Sequence, residues 1–425
     1  MNTSSVSRLA LALAFGVTLT ACSSTPPAER PSEQKAPGTT SRPILSAGEA
    51  KNFVADRYFT SMTPDGAVWK PMSIRLPEKA DFVVGPAGTP GVTHTTIQAA
   101  VDAAINKHAS DRQYIAVMPG EYEGTVYVPA ASGSVTIYGT GEKALDVKIG
   151  MAIDSEIDPN SWRRLVNPSG KYMPGKPAWY MFDNCQSKRA ATVGVMCSAV
   201  FWSQNNGLQL QNLTIENTLG DSVDAGNHQA VALRSDGDKV QINNVNILGR
   251  QNTFFVTNSS VDNTLRSDRQ TRTLVTNSYL EGDGDIVSGR GAVVFDNTDF
   301  RVVNSRTQKE GYVFAPATLS NLYYGFLAVN SRFTGNGVAQ LGRSLDVDGN
   351  TNGQVVIRDS VINEGFNVAK PWADAAVSGR AYAGNVGAVD DKGNVQRELN
   401  NPQFNRMWEF NNRGVGSQVV AEPKK

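Results

Sequence analysis

The chain has 425 residues, with forty Lys and Arg against forty Asp and Glu and a formal charge of zero. That balance, without any run of like charges, excludes a basic nucleic-acid face, so no nucleic-acid partner is expected. Apolar residues make up 40% of the chain, enough for a large core; three Cys and three His, with no Cys-x-x-Cys or His-Glu-x-x-His spacing, argue against zinc, and no metal or cofactor is expected.

Arg8 precedes a mostly apolar run, Leu9 to Thr20, too short to span a bilayer but suited to the core of a secretory signal. Leu19-Thr20-Ala21-Cys22 resembles the lipobox of bacterial lipoproteins, which implies removal of residues 1–21 and lipid attachment at Cys22. An ordinary signal with a chance Cys is the alternative. Several acyl chains anchor stably where one does not. Ser23 after the Cys, rather than Asp, resembles sorting to the outer membrane, the expected location. Residues 22–46 hold five prolines among Ser, Thr and charged residues, and are expected to be a tether for one folded domain at 47–425. Export would expose Cys185 and Cys197 to oxidising conditions. A disulfide between them would contribute about 3 kcal/mol; the alternative is two separate buried thiols.

One clear helix is predicted, with Ile97, Val101, Ala104, Ile105 and His108 on one face and Thr95 or Thr96 as its cap. It is expected to cover the N-terminal end of a stack of strands. Tyr114 to Gly120 and Val135 to Gly139 read as the first of them.

From about residue 208 a pattern recurs: an apolar run, an Asn or Asp, then an apolar residue three further on. It reads Leu210-Gln-Asn212-Leu-Thr-Ile215, Ile242-Asn-Asn244-Val-Asn-Ile247 and Val275-Thr-Asn277-Ser-Tyr-Leu280. Phe295-Asp-Asn297-Thr-Asp-Phe300, Ala328-Val-Asn330-Ser-Arg-Phe333 and Ile357-Arg-Asp359-Ser-Val-Ile362 continue it, at spacings of 32, 33, 20, 33 and 29. Such periods mark repeated supersecondary units, and the short alternating runs make those units strands. An all-β, single-domain parallel β-helix is the expected fold, against a sandwich or propeller. Each repeated Asn should sit at a turn, bonding the backbone of the next coil.

Stacking turns spacing into position. Asn252 lies eight residues after Asn244, and Asp285 eight after Asn277. The two should be neighbours on adjacent coils, about 4.8 Å apart. Gln251 flanks the first, and Asp283 shares a face with Asp285. This cluster fits a hydrolytic site, a sugar-binding groove or a solvated polar ladder.

Six segments in order carry a family resemblance: Thr95-Thr96-Ile97-Gln98-Ala99-Ala100, Gly120-Glu-Tyr-Glu123, Gln229-Ala-Val-Ala-Leu233, Gln251-Asn-Thr253, Gly282-Asp-Gly-Asp285-Ile-Val-Ser-Gly289 and Leu341-Gly-Arg343. Glu409-Phe-Asn-Asn-Arg-Gly414 adds to them. Together they resemble the pectin methylesterases (pectinesterases) over roughly residues 80–416, and with the lipobox a membrane-anchored bacterial branch. The resemblance implies a right-handed parallel β-helix, a pectin-lyase-like solenoid, and metal-free ester hydrolysis. Asp285 then matches the nucleophile that forms an acyl-enzyme. Gln229 and Gln251 match the amides that stabilise the oxyanion, and Arg343 the guanidinium that holds the nucleophile.

Three departures stand out. The family's second carboxylate, the general acid and base, is Asn252 here, and an amide cannot exchange a proton at neutral pH. Leu341-Gly-Arg-Ser-Leu345 lacks the family's Trp, and Ser288 replaces another aromatic. Asp283 could substitute as the acid, although it lies on the nucleophile's own strand. Phe254, Phe255, Tyr279 and Tyr122 could stack on sugars or pack internally.

Three functions are compatible with these residues. The first is a pectinesterase-like carboxylic ester hydrolase, weak on methyl pectin. The second is an acyl-thioester hydrolase of acyl-CoA type, because a thiolate with a parent pKa near 8.5 departs without protonation. The third is an impaired protein that still binds acidic or esterified polysaccharide. Gly220-Asp-Ser-Val223 resembles the start of a serine-lipase block, but no later His than His228 exists to complete it. His228 reads as a structural or groove residue, and a monomer is expected.

Overall fold

The repeated Asn positions are where the chain bends. In the computed structural model Asn212, Asn244, Asn277, Asn297, Asn330 and Asp359 all take φ between 50° and 54°. Asn and Asp tolerate this left-handed conformation better than other side chains. Asn411, at φ 50°, adds a seventh member that the sequence pattern did not mark. Their side chains mostly bond side chains of the neighbouring coil rather than backbone. Asn244 donates to Asn212 at 2.9 Å, Asn297 to Asn277 at 2.7 Å and Asn411 to Asp359 at 2.7 Å.

The structure describes residues 36–60, 68–224, 226–303, 306, 310–347, 349 and 351–420. The expected signal segment and Cys22 lie outside them.

Ten parallel strands, from Phe82–Val84 to Arg406–Phe410, pair in one row. A second row branches from it at the nine-residue strands Gln209–Asn217 and Val240–Leu248, which bend through Asn212 and Asn244. The third sheet holds seven strands in chain order: β1 (Val126–Val128), β2 (Phe201–Ser203), β3 (Leu233–Ser235), β4 (Phe254–Val256), β5 (Val287–Gly289), β6 (Tyr312–Pro316) and β7 (Gln340–Gly342). Every pairing in these three rows is parallel, and the architecture is a parallel β-helix.

The apolar residue three places after each Asn forms an internal ladder. Ile215 pairs with Ile247, then Leu280, Phe300, Phe333 and Ile362 follow in register, all buried. Phe300 and Phe333 stack at 4.9 Å. Stacking like on like in this way keeps each coil from slipping against the next. Gly289 is obligatory at the end of β5: its φ is +111°, and a Cβ there would lie 1.8 Å from the Val256 carbonyl oxygen.

The cap helix runs Ile97–Asn106, and Thr96 accepts from Ala99 N at 3.2 Å. Ile97, Val101 and Ala104 are buried, but His108 lies beyond the helix and is exposed. A strand, Phe82–Val84, precedes the helix and starts the stack ahead of the expected first strand. Two further helices, Pro159–Val166 and Trp179–Gln186, stand on a long excursion between Met151 and Phe201. Their brevity and mixed composition hid them from periodicity. Cys185 and Cys197 are joined there, their Cα atoms 5.8 Å apart.

The tether boundary is corrected. Compact packing begins at Ala36, not at residue 47. Arg42 is 1% exposed and clamps Glu409 with two bonds of 2.8 Å, while also donating to the carbonyls of Gly416 and Gln418. Leu45, Phe53, Tyr58 and Phe59 then cover Val294, Leu327, Val356 and Trp408 on the outer face of the long sheet. A Pro-rich composition signalled a tether, yet the buried Arg42–Glu409 pair and the Leu45 side chain hold its last part, from Ala36 on, down.

Candidate active site

The site is built in the row of turns that feeds β3, β4 and β5. Register pairs Phe254 with Val287, which brings Asn252 beside Asp285. Asn252 N donates to the carbonyls of Gly284 (3.2 Å) and Asp285 (3.1 Å). Three non-glycine residues here take left-handed φ: Gln251 at 39°, Asn252 at 59° and Asp285 at 43°. Such conformations cost roughly 1–3 kcal/mol each and collect at functional sites. The spacing argument therefore placed these side chains correctly.

Asp285 is 2% exposed and receives both arms of Arg343, Nε to Oδ1 at 2.8 Å and Nη2 to Oδ2 at 2.6 Å. Arg343 enters from the end of β7, where its N–H donates to Phe314 O at 2.9 Å, and its guanidinium lies 4.0 Å from the ring centre of Tyr312. Burial works to lower the Arg343 pKa, but the Asp285 charge, the hydrogen bonds to Asp285 and the Tyr312 hydroxyl together outweigh it and leave the guanidinium above its ordinary value. This fork fixes the carboxylate in one orientation.

Gln229 and Gln251 are half-buried, and their backbones are tied down individually. Ser155 N donates to Gln229 O at 3.0 Å, and Gln229 N donates to Ser155 Oγ at 3.0 Å. Gln251 N donates to Asp283 Oδ1 at 2.8 Å. Neither side-chain amide bonds another described residue, so both remain available as donors.

Asp283 has a structural place rather than an open one. It is 4% exposed and paired with Arg306, Nε to Oδ2 at 2.9 Å and Nη2 to Oδ1 at 3.2 Å. Arg306 Nη1 also reaches His228 O at 2.6 Å. One guanidinium thus links the residue before Gln229 to the carboxylate that holds Gln251. This corrects the expectation of Asp283 as a substrate contact or substitute acid. Phe254 is corrected as well: it is fully buried inside the coil stack, edge-on to Phe295 at 6.4 Å. Tyr279 is half-buried on the second row, its hydroxyl donating to Glu281 Oε2 at 2.6 Å, and it bonds no site residue.

Asn252 is 4% exposed. Its Nδ2 donates to Ser288 Oγ at 2.8 Å, and its Oδ1 is buried without a partner among the described residues. A buried acceptor left unpaired costs about 1–3 kcal/mol. His228, beside Gln229, sits between Asp154 (2.7 Å) and Asp224 (3.0 Å). Burial works to lower its pKa, but the bond to Asp154 and then Asp224 prevail and raise it.

A cavity of about 670 Å³ lies farther along the same row of turns, lined by Glu121, Tyr122, Glu123, Arg164 and Lys171. It abuts β1, four strands from β5, or about 19 Å at the spacing of paired strands. Gln229, Gln251, Asp285 and Arg343 do not line it.

Sequence reading missed Arg306, Ser155 and Tyr312. No periodicity marks a residue whose role is to brace another side chain across coils.

A pectinesterase family model matches residues 183–340. Pectinesterase B of Dickeya dadantii (strain 3937) is 44% identical over 97% of this chain and 98% of its own. The chain belongs to the pectinesterase family. A second relative, from Escherichia coli (strain K12), is 77% identical over the full length of both chains and is named "Putative acyl-CoA thioester hydrolase YbhC". Among solved structures, the rice weevil pectin methyl esterase superposes with a TM-score of 0.78 at 36% identity, over 90% of this chain and 100% of its own.

Proposed function

We propose that this pectinesterase-family protein is a carboxylic ester hydrolase that works through Asp285 and favours leaving groups that depart unprotonated. The carrying observation is the pairing of a clamped carboxylate, Asp285 on Arg343, with an amide, Asn252, where a proton donor would be needed. Asp285 attacks the acyl carbon, the amides of Gln229 and Gln251 take the developing negative oxygen, and the bond to the leaving group breaks. Methoxide leaves slowly without general acid assistance, which typically contributes 10²–10⁴-fold. A thiolate needs no proton, so acyl thioesters of acyl-CoA type suit this site better than methyl-esterified polygalacturonate. The name of the Escherichia coli relative points the same way.

The lipobox-like Leu19 to Cys22 supports an exported, lipid-anchored form at the outer membrane. The test offers methyl-esterified polygalacturonate and an acyl thioester in parallel, following acid release, with Asp285→Ala as control. Thioester turnover that vanishes in the variant supports the proposal. Equal or faster methyl-ester turnover would refute the leaving-group argument. No Asp285-dependent turnover on either would leave a protein that binds polysaccharide without cleaving it.

A further inference from the structure

Ser288 stands in register opposite Phe255 on the adjoining coil, fully buried, and its hydroxyl oxygen accepts the Nδ2–H of Asn252 at 2.8 Å. The backbone of Asn252 is separately fixed by its bonds to Gly284 and Asp285. The Nδ2–H bond to Ser288 holds the end of this side chain, and its Oδ1 has no partner among the described residues.

We propose that Ser288 is a positioning residue that holds the Asn252 side chain in place through one N–H of its amide, so that the carbonyl oxygen is kept to accept a hydrogen bond. The group that fits Oδ1 is a donor, which in ester hydrolysis is the water that attacks the acyl-enzyme. This assignment to water rests on the reading of Asp285 as nucleophile; the Ser288 contact itself does not. Asn252 orients that water but takes no proton from it: the water oxygen bonds the acyl carbon, the bond from that carbon to the Asp285 oxygen breaks and returns the carboxylate, and the water's proton leaves to solvent with the acid product. The same hydroxyl has a second consequence. It can rotate to donate, so it would stabilise a carboxylate at position 252 in its charged form and oppose its use as an acid. Reverting Asn252 alone should therefore not restore a methyl esterase.

The test compares Asn252→Asp with Asn252→Asp/Ser288→Ala in the full-length protein. Selective ¹³C labelling of Asp follows the titration at position 252, coupled to Asp285 equally in both variants. The new carboxylate should titrate about one pKa unit lower when Ser288 is present. Identical titrations would show that the hydroxyl does not engage this side chain and would overturn the proposal, whether or not the protein is an enzyme. Turnover supplies the second reading. The double variant should exceed Asn252→Asp at least tenfold on a methyl ester and change little on a thioester. Ser288→Thr, which keeps the hydroxyl, should behave as the parent, whereas Ser288→Ala should lower kcat without raising KM. Loss of thioester kcat in Ser288→Thr equal to that in Ser288→Ala would assign Ser288 to packing alone.

Discussion

Asp283 and Asp285 stand two residues apart in one turn, and each is held by its own arginine: Arg306 grips Asp283, and Arg343 grips Asp285. The second pair aims a reactive carboxylate. The first carries no exposed group, since its side chains are 1% and 2% exposed, and its bonds run to Gln251 N and His228 O. Two like-charged side chains on one turn are thus neutralised separately, one pair setting the carboxylate proposed as nucleophile and the other setting the backbones at His228 and Gln251.

Breaking the Arg306 pair should be costly. Removing one partner of a buried ion pair leaves an uncompensated charge, typically at about 3–5 kcal/mol. Arg306→Ala is expected to lose stability on that order in chemical denaturation. The double variant Arg306→Ala/Asp283→Ala should lose less than the sum of the single variants, with a coupling of about 0.5–3 kcal/mol. Additive losses would mean that the two side chains do not depend on each other.

The glutamines should act on rate rather than on binding. Both amides are free to donate while their backbones are anchored through Ser155 and Asp283. Losing one such donor costs about 10²–10³-fold in kcat in comparable oxyanion sites. Gln229→Ala and Gln251→Ala are expected to fall in that range on a thioester substrate, with KM nearly constant. A rise in KM at constant kcat would make them ground-state contacts instead.

Much of the fold was legible because it repeats. Six Asn or Asp positions predicted the bends, and the residue three places on predicted the internal ladder from Ile215 to Ile362. Stacking then placed Asn252 beside Asp285 without any structure. Alternation failed where packing, not period, decides direction: Phe254 looked like a groove aromatic, yet its strand turns it into the core. The boundary at residue 46 failed for a related reason. Composition reports what a segment can bury alone, and Arg42 is held by Glu409, far away in sequence. Ser288 was visible only as a missing aromatic. That its hydroxyl holds an amide on the neighbouring coil required the register of β4 on β5.

Phe254 supplies a direct check on that correction. As a fully buried ring in the coil interior, it should cost about 3–5 kcal/mol when truncated to Ala. Tyr279→Phe, which removes a hydroxyl bonded to Glu281 on the second row, should leave turnover unchanged. A Phe254→Ala protein of parental stability with weakened polysaccharide binding would return Phe254 to the groove.

His228 ties the segment before Gln229 to the rest of the site in a pH-dependent way. Its ring lies between Asp154 and Asp224, and its side chain is 20% exposed. Both nitrogens can donate only while the ring is protonated; the neutral ring has one donor. Asp154, itself 20% exposed, should keep that donor, and Asp224, 84% exposed, should lose its bond. The folded-state pKa is raised above 6.5, burial opposing and the Asp154 bond prevailing. The stabilisation is therefore complete below the unfolded value and is lost as pH rises through the folded one. Amide protection at residues 220–224 and 226–229, corrected for intrinsic exchange, should fall as pH rises above about 6.5. His228→Gln, which cannot gain or lose the proton, should remove that dependence while Asp285–Arg343 stays intact. Protection that is flat with pH in the parent, or equally steep in His228→Gln, would exclude the ring as the titrating link.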